Sequence, residues 1–148
     1  MSQPRPAPAA WLPWMLVPLA MLGFSVLWVL LALYSGRQCN WMAVLAALDM
    51  LWVLGLGRPM PPARRAALAT ACTLVIIGMV NWVVAATYAG SQVGLSPWEA
   101  TLRLGLDHGL TLAGLANAGH DAAWLAIALA VAAGGPFLSA RRRAPSAR

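Results

Sequence analysis

The stretch from Trp11 to Tyr34, WLPWMLVPLAMLGFSVLWVLLALY, contains no charged side chain. It exceeds the roughly 20 residues that a helix needs to cross a hydrocarbon core of about 30 Å. Such a segment has few destinations, because a soluble surface cannot carry it. Three more apolar runs follow. Trp41 to Gly57 is broken by Asp49, Ala66 to Tyr88 is broken by Asn81, and Asp121 to Ala140 is alanine-rich and closed by Arg141, Arg142 and Arg143. Charged residues make up 9% of the chain, against about 25% in a typical soluble domain. The mean hydropathy is +0.71. The sequence therefore predicts an all-α membrane protein, with spans at about 11–34, 41–57, 66–88 and 121–140.

The first run is too long for the apolar core of a cleaved signal peptide, and no small-residue cleavage pattern follows it, so it reads as an uncleaved anchor. Residues 1–10 are proline-rich and read as a disordered N-terminal tail. Residues 141–148 form a basic tail. Arg5, Arg58, Arg64, Arg65, Arg141, Arg142, Arg143 and Arg148 fall on one side of a four-span chain, while the other side receives Arg37 and Arg103. By the positive-inside rule both termini and the 58–65 turn are expected in the cytoplasm. Arg58, Arg64, Arg65 and Arg141–Arg143 would then be cytoplasmic anchors against lipid headgroups. The net charge of +6 is thus read as topology and not as nucleic-acid binding. All the basic residues are arginine, with no lysine. With abundant alanine, this suits a GC-rich bacterial genome and points to a bacterial inner membrane.

Between the third and fourth spans lies SPWEATLRLGLDHGLTLAGLANAGHD, residues 96–121, which holds three of the chain's four acids and both histidines. Ser96 followed by Pro97 and Glu99 is a helix start, with Ser96 as N-cap and Glu99 able to close a capping box. From there the spacing predicts one amphipathic helix over about 97–118. Glu99, Arg103 and Asp107 fall at i, i+4 on one face, with Trp98, Leu102, Leu106 and Ala113 on the other. The predicted fold class is a four-transmembrane-helix bundle with this one extra interfacial helix between spans 3 and 4.

Few residues are candidates for chemistry. Asp49 lies about 12 Å along its helix from Trp41, and Asn81 about 10 Å from Tyr88. The two spans are joined by a short turn, so an Asp49–Asn81 hydrogen bond facing the bundle interior is expected. An ionised carboxylate at that depth costs at least about 2.5–3.5 kcal/mol unless paired, protonated or hydrated. Glu99, Arg103, Asp107, His108, His120 and Asp121 form an outer-face polar cluster. Their spacing matches no zinc pattern, and no metal or cofactor is expected. Cys39 and Cys72 lie about 24 Å apart in depth, too far for a disulfide. Glycines at 105, 109, 114 and 119, and alanines at 122, 126 and 130, read as small-residue packing faces.

No nucleophile elbow, phosphate loop or catalytic set is present. Small multidrug exporters place a carboxylate in the first span, quinone-linked disulfide-forming proteins use paired outer cysteines, and four-helix haem b proteins hold histidines within their spans. None of these patterns occurs here. The sequence favours a non-enzymatic accessory or assembly subunit that packs against a membrane-protein partner or its own copies. The alternative is a small oligomeric proton- or ion-coupled transporter using Asp49.

Overall fold

The computed structural model describes residues 12–57, 59–103, 105, 109, 111, 114 and 120–143, with the side chains of 12, 13, 120 and 141–143 outside the description. The described residues are helical and contain no strand. They form α1 (Leu12–Ser35), α2 (Met42–Gly55), α3 (Pro62–Ser91), α4 (Pro97–Arg103) and α5 (His120–Arg143). α1, α3 and α5 are long and apolar enough to cross a membrane, whereas α2 is a shorter apolar helix. At 1.5 Å per residue, the 14 residues of α2 span about 21 Å, and the 30 residues of α3 about 45 Å.

The helix ends follow local chemistry. α1 stops where Gly36 takes φ 65°, so that Arg37 N–H reaches back to the Ala32 carbonyl at 3.2 Å. That is the backbone closure a glycine in the left-handed region allows. α3 begins with Pro62 at a position whose N–H would have no intrahelical partner. α4 begins with the expected reciprocal cap. Ser96 N–H lies 3.4 Å from Glu99 Oε2, and Glu99 N–H lies 3.4 Å from Ser96 Oγ.

α1 and α3 run in the same direction. Gln38, just after α1, reaches Asn81 two-thirds of the way along α3, and Arg65, at the start of α3, reaches Leu51 near the end of α2. α2 therefore returns antiparallel between them. α1 packs on both α2 and α3, and α5 packs on both as well. The buried stripe of α3, Ala69, Thr73, Ile76, Val80 and Val84, advances by three or four residues at each step, as one helix face must. Against it sit Trp28 and Ala32 of α1, Ala43, Ala46 and Met50 of α2, and Ala128 and Ala132 of α5. The outside of the bundle stays apolar, with Leu19, Leu27, Leu30, Leu48, Trp52, Val75 and Leu138 all exposed.

Three expectations change. The apolar run at 41–57 yields the shorter helix Met42–Gly55. The single helix over 97–118 is not continuous. α4 ends at Arg103 and Gly105 lies outside any helix, while Gly109, Thr111 and Gly114 are again helical. A glycine costs a helix about 1 kcal/mol relative to alanine, which makes residue 105 a natural break. The remaining residues of that predicted helix, 104, 106–108, 110, 112–113 and 115–118, lie outside the described residues. Finally, Ala122, Ala126 and Ala130, expected to pack within the chain or against another chain, are exposed, and the packed face of α5 within this chain is carried by Ala128 and Ala132.

Two glycines position the segment after α3. A Cβ on Gly90 would collide with the Ala100 methyl, and one on Gly109 would enter the Trp82 ring. Trp82 also donates its indole N–H to the Thr101 carbonyl at 3.2 Å, tying α4 to α3.

Candidate functional site

Asp49 sits midway along α2, seven residues from Met42 and six from Gly55. Each end of the helix is thus about 10 Å away. At 100° per residue, the packed face of α2 is centred between Ala46 and Met50, and Asp49 falls about 90° to one side. The residue is half-buried, and it lines a groove of about 440 Å³ between α1 and α2. The α1 wall is Leu16, Leu19, Ala20, Gly23, Phe24 and Leu27, and Trp52, Val53 and Leu56 continue the α2 side. A Cβ on Gly23 would meet nothing within 4 Å, so glycine leaves the groove open there. Among the described residues, no hydrogen bond or ion pair reaches the Asp49 carboxylate. It is an isolated acid in an apolar trough that opens to the side of the bundle.

The expected Asp49–Asn81 bond is not formed. Asn81 is 4% exposed; its amide donates to the Ile77 carbonyl at 2.9 Å, and its Oδ1 accepts from Gln38 Nε2. The equal-depth argument fixed height but not direction. α1 occupies the flank of α2 toward which Asp49 turns, while Asn81 turns toward the loop between α1 and α2.

That loop, residues 36–41, contributes side chains that sequence spacing did not single out. The Gln38 carbonyl accepts from Trp28 Nε1 at 3.0 Å, and Trp28 is fully buried. Asn40 is 1% exposed. Cys39 adopts φ 51°, a left-handed conformation that costs a non-glycine residue roughly 1–2 kcal/mol. Its carbonyl accepts from Met42 N–H at 2.9 Å to start α2, and its sulfur lies 3.3 Å from Ser35 Oγ. The loop is therefore folded into the end of the bundle. The available signal was three polar residues in a very short turn facing a polar residue on α3. Cys39 and Cys72 are free thiols.

The outer-face cluster is only partly within view. Glu99 is turned back on Ser96, whose hydroxyl donates to Oε2 at 3.0 Å, and no ion pair joins it to Arg103. Both residues are exposed. Asp107 and His108 lie outside the described residues, as does the His120 side chain. Asp121 is half-buried in the first turn of α5, where a carboxylate suits the positive end of the helix dipole. On α4, Ala100 is buried, while Trp98 and Leu102 point away from the bundle.

At the opposite end, Arg64 is exposed. Arg65 turns inward, and its Nη2 donates to the Leu51 carbonyl. Gly55 makes room, since a Cβ there would lie 2.5 Å from that nitrogen. A cation near the last turn of α2 also favours its dipole. Arg58 and the side chains of Arg141, Arg142 and Arg143 lie outside the described residues.

Comparison with protein families, with characterised proteins and with solved structures finds no match for this chain.

Proposed function

We propose that this chain is a four-span membrane protein that acts as a non-enzymatic accessory or assembly subunit, docking a second membrane protein in the α1/α2 groove at Asp49. The observation that carries this reading is Asp49 itself, an acid halfway along an apolar helix with no partner among the described residues. Ionisable groups inside a membrane are costly and are ordinarily paired. The groove lies on the flank of the bundle and not in its interior, so the partner it needs comes from outside. Among the described residues, every arginine lies near a helix end or in a turn, so a second copy offers no described arginine at the depth of Asp49. That favours a different chain as the partner, with a span bearing a lysine, arginine or strong hydrogen-bond donor near its middle.

The four-span reading rests on direction. Since α1 and α3 run the same way, residues 36–61 carry the chain from one end of the bundle to the other. If α1 and α3 cross, α2 crosses too, and both termini share a side. Exposed Tyr34 (94%), Trp41 and Tyr88 near one end, with Trp14 near the other, suit the two aromatic belts of a membrane protein. The arginine distribution favours cytoplasmic termini, and the all-arginine composition a bacterial inner membrane. The transporter reading loses its proposed relay, because Asp49 and Asn81 face different neighbours.

The test is co-purification of the full chain from its native membrane in mild detergent, comparing wild type with Asp49→Asn and Asp49→Leu. A membrane protein with a mid-span basic or donor residue should accompany wild type in fixed ratio, weaken with Asp49→Asn and be lost with Asp49→Leu. Identical partners in all three would sink the docking reading. Proton-coupled uptake by the purified chain alone in liposomes, abolished by Asp49→Asn, would establish the transporter instead. A reporter on the C-terminus should be active only on the cytoplasmic side.

A further inference from the structure

At the end of the bundle that carries the turn before α3, a cleft of about 140 Å³ opens between the start of α3 and the last turns of α5. It is lined by Met60, Pro62, Arg65, Pro136, Ser139 and Ala140. A water needs about 10–15 Å³ measured in this way, so the space suits a group of several heavy atoms. Arg65 is the charged member of that lining. Its guanidinium is fixed by the Leu51 carbonyl and by the space over Gly55, and its Nε is buried with no acceptor among the described residues. The Ser139 hydroxyl proton is committed to the Pro136 carbonyl at 2.9 Å, which leaves Arg65 as the group that would choose a ligand.

Among the described residues, no acid balances this charge. Asp49 lies halfway along α2 in the separate groove, Glu99 lies in α4 beyond the far end of α3, and Asp121 lies in the first turn of α5, away from the last turns that line the cleft. The surroundings are basic, with Arg64 next to Arg65 and Arg141–Arg143 directly after Ala140. A partly buried guanidinium with unspent donors calls for an anion. A guanidinium suits the oxygens of a phosphate through charge-assisted hydrogen bonds, and with Nη2 turned to Leu51 and Nε closed off, the part of Arg65 that lines the cleft would supply them. We propose that this cleft binds a phosphate group, with Arg65 as its anchor. The same chemistry is offered by a phospholipid headgroup or by free phosphate. The lipid source rests on the membrane reading above, and the free-phosphate source does not.

The experiment uses the purified full chain in phospholipid-free maltoside micelles. Phosphatidylglycerol, inorganic phosphate, or chloride at matched ionic strength is added, and the melting midpoint and the mass of the intact complex are read. Wild type should gain stability and retain phosphatidylglycerol, inorganic phosphate or both, with no effect of chloride. Phosphatidylglycerol alone identifies the lipid as the source, and inorganic phosphate alone identifies the free ion. Arg65→Gln should weaken retention about tenfold or more, as expected for the loss of a charged hydrogen-bond donor, and Arg65→Lys should restore part of it. Ala140→Leu adds bulk at a residue that lines the cleft and leaves Arg65 and Leu51 themselves unchanged, and it should weaken retention, so it decides the matter if Arg65→Gln does not fold. Arg37→Gln, an exposed arginine at the other end of the bundle, should behave as wild type. No response to either phosphate source overturns the proposal, as does undiminished retention in Ala140→Leu or equal loss in Arg37→Gln.

Discussion

Gly90→Ala is the sharpest test of how the segment after α3 is seated. The added Cβ would overlap the Ala100 methyl and lie 3.5 Å from both Ala100 Cα and Leu95 Cβ. Carbon atoms at rest are about 3.5–4.0 Å apart, so α4 has to withdraw by roughly 1 Å. The Trp82–Thr101 hydrogen bond is already 3.2 Å long and does not survive that displacement. Overpacking costs about 1–3 kcal/mol, and the lost bond about 0.5–1.5 kcal/mol. Replacing a helical glycine by alanine returns about 1 kcal/mol. The net is about 0.5–3.5 kcal/mol, and it falls on the attachment of α4 and not on the bundle. Hydrogen exchange of residues 97–103 should therefore accelerate by about twofold to three-hundredfold, at 1.4 kcal/mol per tenfold. The melting midpoint of the bundle should move little. Gly78→Ala on the same helix, where a Cβ meets nothing within 4 Å, supplies the control and should leave exchange at 97–103 unchanged. Unaltered exchange in Gly90→Ala would refute the account of α4 as a segment held by close backbone approach.

Asn81→Leu removes the acceptor for Gln38, a bond of a kind worth about 0.6–2 kcal/mol in membranes. Labelling of Cys39 by a charged maleimide should then quicken about three- to thirtyfold relative to Cys72, and an unchanged ratio would mean the loop is held otherwise. Trp28→Phe leaves the Gln38 carbonyl without its donor and opens a small void. It should lower the stability by about 1–3 kcal/mol in thermal unfolding, and an unshifted midpoint would contradict the role given to Trp28. Gly135→Ala puts a Cβ 2.7 Å from Leu51 Cδ1, the end of a side chain that can rotate away. Its cost should stay within about 1 kcal/mol, and a larger loss would show Leu51 to be locked.

The long helices were legible because nothing competes with an uninterrupted apolar run, and α1 and α5 lie close to where hydropathy put them. α3 extends beyond its apolar stretch to Pro62, since arginine side chains can leave the first turn of a helix in either direction. The capping box at Ser96 and Glu99 was readable because it is a local code. Partnerships across the fold were not. Depth along two helices follows from residue counts, but which neighbour Asp49 faces depends on the order of helices around the bundle. A helical wheel of α2 alone would have shown the acid flanking the packed face. Gln38 escaped notice because its reach to Asn81 depends on how the 36–41 turn folds against α3, which no propensity announces. The isolation of Asp49 and the inward turn of Arg65 both arise from tertiary placement.

The shortness of α2 bears on how the protein is made. A segment of 10–14 apolar residues is a weak signal for lateral release into a bilayer, and this one carries an acid at its centre. On the membrane reading, α2 does not partition as an independent unit. It would wait for α3 to emerge, and the pair would enter as a hairpin, with Arg65 clamped to the Leu51 carbonyl and Met50 packed in the common core. Biosynthetic order would then matter more than the hydropathy of α2. Truncation before residue 62 should strand α2 outside the lipid even though every one of its own residues is present.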